Sequence, residues 1–193
     1  MYVFDEMSFR YREWVFEAYS GSIEISKVGL VGKNGCGKTT LLKLLDRQLK
    51  PQKGRIRVAG STYMVDFDLS SYKAFWPDDV VELCSHLSSF DTTQADHVID
   101  YLGLGDYIKT PIGELSKGTV KKVALLMGFM STADVLLVDE PFESIDQESN
   151  SHLVMMLRQR QGSHVIVSHD EGILRQCVDT VYTITDRKLA ESP

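Results

Sequence analysis

GKNGCGKT, running from Gly32 to Thr39, is the stretch on which the fold turns. It reads glycine, four residues, glycine, lysine, threonine. The apolar run KVGLVG, Lys27 to Gly32, leads into it as a buried strand, and Leu41, Leu44, Leu45 and Leu49 follow at helical spacing. The order is strand, glycine loop, helix. Such a loop must bring backbone amides onto phosphate oxygens. Gly32, Gly35 and Gly37 permit positive φ and close approach, with Asn34 and Cys36 between them. The helix from Lys38 aims its positive end at the anion. Lys38 reaches the outer phosphates as a point charge, the Thr39 hydroxyl suits Mg²⁺, and Thr40 continues the helix beside them.

Further along, RIRV and STYMV read as neighbouring strands, and from Asp66 to about Tyr107 the pattern becomes irregular and helical. Ser116 then caps a helix with Val120, Val123, Ala124 and Met127 on one face. VLLVD (Val135 to Asp139) and HVIVS (His164 to Ser168) are compact apolar strands separated by a helix around residues 149–160. Alternating strands and helices predict an α/β core with a helical insertion at about residues 66–130, all within one domain spanning 1–193. The first of these two strands ends in Asp139 and Glu140. Adjacent residues of a strand point to opposite sides, so Asp139 is assigned to a metal shell and Glu140 to activation of a water. His169 follows the second strand and is placed to meet a terminal phosphate, whereas His164 precedes the run and reads as a strand-end surface residue. His86, His97 and His152 stand in no motif.

With 193 residues, 43% hydrophobic and 25% charged, the chain is sized for one globular core and is neither disordered nor a repeat protein. Twenty-seven acidic against 21 basic residues give a net charge of −6, so no nucleic-acid partner is expected. The longest apolar run, VALLMGFM at residues 123–130, is far short of the ~20 residues that span a bilayer. MYVFDEMSFR lacks the pattern of a secretory signal, and three cysteines make no disulfide framework, so a reducing cytoplasm is expected.

Taken in order, the motifs resemble those of the ATP-binding cassette (ABC) ATPases. GKNGCGKT resembles their Walker A loop, LSKGT (Leu115 to Thr119) the signature LSGGQ, and VLLVDEP their Walker B strand. ESID (Glu143 to Asp146) is similar to the loop that usually reads SALD, and SHD puts His169 at the switch histidine. The stretch LKPQKGRIRVAG also resembles transporter cassettes. Tyr11, in SFRYREW, resembles the aromatic residue that stacks on adenine, with Phe9 and Trp14 as competitors. The resemblance implies a P-loop NTPase core of ABC type, an N-terminal antiparallel β subdomain and an inserted helical subdomain.

It further implies that ATP and Mg²⁺ are bound, with Lys38, Glu140 and His169 catalytic, Thr39 and Asp139 on the metal, and Ser116 and Gly118 presented to the γ-phosphate held by a second subunit. Asp146 would then act across the dimer interface. Two departures stand out. Lys117 and Thr119 replace the usual glycine and glutamine of the signature, and the glutamine expected after STYMV is missing, with Asp66 at the nearest place and therefore taken as a metal candidate. The implied function is ATP hydrolysis by a homodimer or heterodimer that powers separate transmembrane permease subunits, with the chain peripheral on the inner face of the cell membrane. DFDLSSYKAFWP, Asp66 to Pro77, is the expected docking stretch. The alternatives are a non-transport ABC ATPase acting on nucleic acid or ribosomes, and a regulatory cassette that does not hydrolyse.

Overall fold

The computed structural model describes residues 1–24 and 26–191. Two compact units emerge, one made of Met1–Met64, Asp134–Glu140 and Arg160–Pro193, the other of Val65–Ala133 and Pro141–Gln159. No helix among the described residues is long and apolar enough to cross a membrane.

The first unit holds two sheets. Strands β1 (Tyr2–Arg10), β2 (Trp14–Ile23) and β4 (Lys53–Val58) form an antiparallel sheet in the order β2-β1-β4. The other sheet runs β5-β6-β7-β3-β8-β9, built from β3 (Lys27–Val31), β5 (Thr62–Met64), β6 (Val135–Asp139), β7 (Ser163–Val167), β8 (Thr180–Thr185) and β9 (Lys188–Glu191). Its first five strands in that order are parallel and β9 closes the edge as an antiparallel hairpin. Val135 to Val138 and Val165 to Val167 are all buried, as near-continuous apolar runs are in parallel strands. Helix α1 (Lys38–Leu45) adds Leu41, Leu42, Leu44 and Leu45 to the same core, which also takes Phe4, Phe9 and Phe16 from the antiparallel sheet. In register, Leu30 and Asp139 both pair with Val167, so β3, β6 and β7 end at one edge. That edge is where a parallel sheet presents its ligand-binding loops.

RIRV and STYMV are not neighbours in one sheet as expected. Tyr2 pairs with Val58 in the antiparallel sheet, whereas Thr62 pairs with Val135 in the parallel one. The chain changes sheets at Gly60 and Ser61, where Asp134 accepts from both the amide and the hydroxyl of Ser61 at 2.7 Å. His164 is also a correction, because it is fully buried. The Cys177 carbonyl accepts from its Nε2 at 2.9 Å and its Nδ1 has no partner. Burial pushes its pKa down to about 4.

The second unit contains α2 (Pro77–Ser85), α3 (Ala95–Tyr101), α4 (Lys117–Met130) and α5 (Gln147–Gln159). Pro77 occupies the first turn of α2, and the Asp79 carboxylate accepts from the Trp76 amide at 2.8 Å. Lys122 of α4 pairs with Asp146 at 2.6 Å, and Asp146 also accepts from the Ser149 amide in the first turn of α5. The Lys122 ammonium leads in holding the Asp146 carboxyl well below the usual carboxylate range. Asp146 is thus tied within its own unit. His97 and His152 flank the Tyr101 ring, with centroids 4.3 and 5.1 Å away, and serve packing.

Candidate nucleotide site

The loop after β3 takes the backbone its glycines allow, with φ of 149°, 80° and 111° at Gly32, Gly35 and Gly37. Gly37 has a second constraint, since a Cβ there would meet Val15 Cγ1 at 2.4 Å. Positive φ and close packing together leave no room for another residue. Asn34 and Cys36 lie in the same loop, whose turn is closed by the Cys36 amide donating to Lys33 O at 3.1 Å. Lys38 is 8% exposed, and its ammonium donates to Gly32 O at 2.8 Å and more weakly to Lys33 O at 3.5 Å. The cation therefore sits over the concave side of the loop. Thr39 Oγ1 donates to Asp139 Oδ2 at 2.5 Å, joining the first turn of α1 to the end of β6, while Thr40 is buried behind them.

Glu140 follows Asp139 with φ of 52°, a left-handed backbone, and its amide donates to Val167 O at 2.9 Å. Its Oε2 accepts from the His169 amide at 3.1 Å and lies 3.1 Å from His169 Nδ1. The Glu140 side chain is 23% exposed and that of His169 62%, so the pair opens to solvent. Strand ends β3, β6 and β7 thereby gather Lys38, Thr39, Asp139, Glu140 and His169 in one unit.

Beside this loop a cleft of about 670 Å³ is lined by Tyr11, Trp14, Val15, Gly35, Cys36, Asp186 and Arg187, with Arg12 and Glu13. Phe9 is 4% exposed and packs edge-on to Tyr11, so it belongs to the core. Tyr11 is 61% exposed and faces the cleft. Trp14 also lines it, with the Arg10 guanidinium 5.0 Å from its ring. The cleft thus joins an aromatic wall at Tyr11 and Trp14 to the apex of the glycine loop at Gly35 and Cys36.

The remaining sequence candidates belong to the second unit. Ser116 caps α4, accepting from the Thr119 amide at 3.1 Å and sharing a hydrogen bond with the Thr119 hydroxyl at 2.8 Å. The threonine that replaces the usual glutamine is thus absorbed into the cap. A Cβ at Gly118 would lie 2.2 Å from Ser144 O, so this glycine is required by close backbone approach. Lys117 is exposed on the first turn. Asp66 is exposed and accepts from the Asp68 amide at 2.9 Å, closing its own turn. Sequence reasoning missed Asp186 and Arg187, whose only signal was a polar pair between two apolar-alternating strands.

A glycine loop between β3 and α1, an acid pair ending β6 and a histidine after β7 define a P-loop nucleotide-binding protein. Residues 20–143 match the family model described as "ABC transporter", and the chain belongs to that family. It is an ABC ATPase. The chain is 30% identical over 171 residues to "Probable ATP-binding protein YheS" of Haemophilus influenzae, covering 86% of this chain and 26% of that protein. It is 29% identical to "Ribosome protection protein VmlR" of Bacillus subtilis, covering 92% and 30%. With "Cobalt import ATP-binding protein CbiO" of Salmonella typhimurium it shares 28%, covering 93% and 75%. The chain spans about a quarter of the length of YheS. The fold matches that of a dimeric ATP-binding cassette in a post-hydrolysis state bound to ADP and Pi, with a TM-score of 0.85, 17% identity and coverage of 100% of this chain and 98% of the other.

Proposed function

We propose that this chain binds ATP with Mg²⁺ on its first unit and hydrolyses it in a head-to-tail pair with a second cassette, homodimeric or heterodimeric. The observation that carries hydrolysis is the Glu140–His169 pair standing at the strand edge that also holds Thr39 and Asp139. Thr39 and Asp139 supply hard oxygen donors that already converge, which fits a magnesium ion. When bound, the ion supplies positive charge that neutralises phosphate oxygens.

Tyr11 stacks on the base, and the amides from Gly32 to Thr40, Asn34 and Cys36 among them, cradle the phosphates. Lys38 exchanges its loop carbonyls for the β and γ phosphate oxygens. Glu140 takes a proton from the attacking water as the new P–O bond forms and the bond to the β,γ-bridging oxygen breaks, giving ADP and phosphate. His169 holds the Glu140 carboxylate in place and faces the γ-phosphate. Ser116 and Gly118, at the N-terminus of α4, are offered to the nucleotide held by the second cassette.

Closure of the pair drives a permease on separate chains, which places the chain on the inner face of the cell membrane. Support comes from the second unit, which carries five of the seven large hydrophobic residues that stay exposed among the described residues, Phe75, Trp76, Leu83, Leu87 and Tyr107. The likeness to CbiO favours the same reading. A second reading, a cassette that acts on ribosomes instead of a permease, draws on the likeness to VmlR. Affinity purification from gently solubilised membranes, with mass spectrometry of the partner, tests the two. A polytopic membrane protein supports transport, and co-sedimentation with ribosomes would replace it by the second reading. An ATPase assay on the same preparation tests hydrolysis.

A further inference from the structure

The β8–β9 turn lines the cleft beside the phosphate loop. Thr185 pairs with Lys188, leaving Asp186 and Arg187 as a two-residue turn, both left-handed with φ of 49° and 63°. Such turns favour Asn-Gly or Asp-Gly, because both central residues need positive φ. An arginine at the second position gives up that advantage, and it is tied down: Arg187 Nη1 meets Glu17 Oε2 at 2.6 Å, latching the hairpin to β2. Val15, two residues earlier on β2, packs where Gly37 begins α1. The strand leading into the turn also touches the loop, since Ile184 O lies 2.9 Å from where a Cβ of Gly32 would be. The turn is therefore held in register with the phosphate loop from both sides.

Asp186 lines the cleft with the loop apex at Gly35 and Cys36 and the aromatic wall at Tyr11 and Trp14. It makes no hydrogen bond or ion pair among the described residues. Arg187 also lines the cleft but its charge is met by Glu17. Between a base on Tyr11 and phosphates on the loop lies the sugar, which offers two hydroxyl donors and no charge. A carboxylate is an acceptor only, and it suits a vicinal diol.

We propose that Asp186 recognises the 2′ and 3′ hydroxyls of the bound ribonucleotide, with the Arg187–Glu17 pair positioning the turn that carries it. This rests on the nucleotide reading above. Isothermal titration of the full chain with ADP, 2′-deoxyADP and 3′-deoxyADP tests it, since ADP leaves the phosphate loop engaged without turnover. Wild type is expected to bind ADP about tenfold or more tightly than either deoxy analogue, the usual scale for a hydrogen bond to a charged group. Asp186→Gly keeps the left-handed turn and removes the carboxylate, so it should bind all three alike, and no more tightly than wild type binds the analogues. Asp186→Asn, which also tolerates the turn, should fall between. A wild type that ignores the sugar hydroxyls, or an Asp186→Gly protein that still discriminates or loses all three ligands in proportion, would overturn the proposal. If wild type does not bind ADP, or Lys38→Ala does not weaken it, the nucleotide reading itself fails and the proposal with it.

Discussion

Lowering the pH from 7 to 5 should cost this protein folding stability through His164. The ring is fully buried on β7, gives Nε2–H to Cys177 O, and leaves Nδ1 without a partner. Burial holds its pKa at about 4 in the folded state, against 6.5 unfolded. Between those values the unfolded chain takes up a proton that the folded one refuses. Stability from this group is therefore complete above pH 6.5 and declines as pH falls toward 4, where the loss levels off. At pH 5 the unfolded ring is almost wholly charged and the folded ring about one-tenth so, which amounts to about 2 kcal/mol. His164→Gln keeps an amide donor for Cys177 O and removes the titration. Urea unfolding of both proteins at pH 7 and pH 5 makes the comparison, because every other titrating group cancels in the difference. Wild type should lose about 2 kcal/mol more than the variant across that interval. Equal losses would refute the reasoning and show that the folded state admits the proton.

The site makes further expectations. Glu140→Gln should still bind ATP but hydrolyse it about 10²-fold or more slowly, with an ATP-bound dimer accumulating on size-exclusion chromatography; unchanged turnover would remove Glu140 from the proton transfer. Alkylation mapped by mass spectrometry should mark Cys36, which is half-buried in the phosphate loop, before the buried Cys84 and Cys177, and ATP should protect Cys36 only. Equal labelling of Cys36 with and without ATP would count against the cradle. Phe75→Ala and Trp76→Ala remove side chains that are 41% and 43% exposed, so the melting temperature should change little while co-purification of the membrane partner weakens. A lowered melting temperature with full complex assembly would assign these rings to the core.

What was legible in the sequence is what depends on local spacing. The phosphate loop, the Ser116 cap and the apolar runs of β6 and β7 need only a few consecutive residues to declare themselves, and the glycine φ values follow from the loop they build. What was not legible depends on distant partners. Whether RIRV and STYMV share a sheet is decided by β1 and β6, far from either in the chain. His164 looked like a surface residue because it precedes the apolar run of its strand, yet it is fully buried and bonded to the carbonyl of Cys177. The ion-pair partner of Asp146 was equally out of reach, since Lys122 lies on the preceding helix, 24 residues earlier. The competition among Phe9, Tyr11 and Trp14 could be narrowed only by seeing which ring the sheet buries.

The separation of the two acids has a different origin from strand alternation. Asp139 ends β6 in extended geometry, but Glu140 has already left it, with φ of 52° while its amide still pairs with Val167 O. A left-handed backbone costs a residue with a Cβ about 1 kcal/mol or more, and such strain is retained where the surroundings impose it. Here the imposed turn is what brings the carboxylate onto the His169 amide and ring. The strain can be measured apart from the chemistry by comparing Glu140→Gly with Glu140→Ala, since both remove the carboxylate and its bonds. At an ordinary strand or helix position glycine is the less stable of the two by roughly 0.5–1 kcal/mol. At Glu140 the order should invert, glycine being the more stable by about 1 kcal/mol in urea unfolding, because it alone adopts the turn without cost. Both variants should be inactive. An alanine variant as stable as the glycine variant would mean that the backbone at Glu140 relaxes freely, and the His169 contact would then have to be held by the side chain alone.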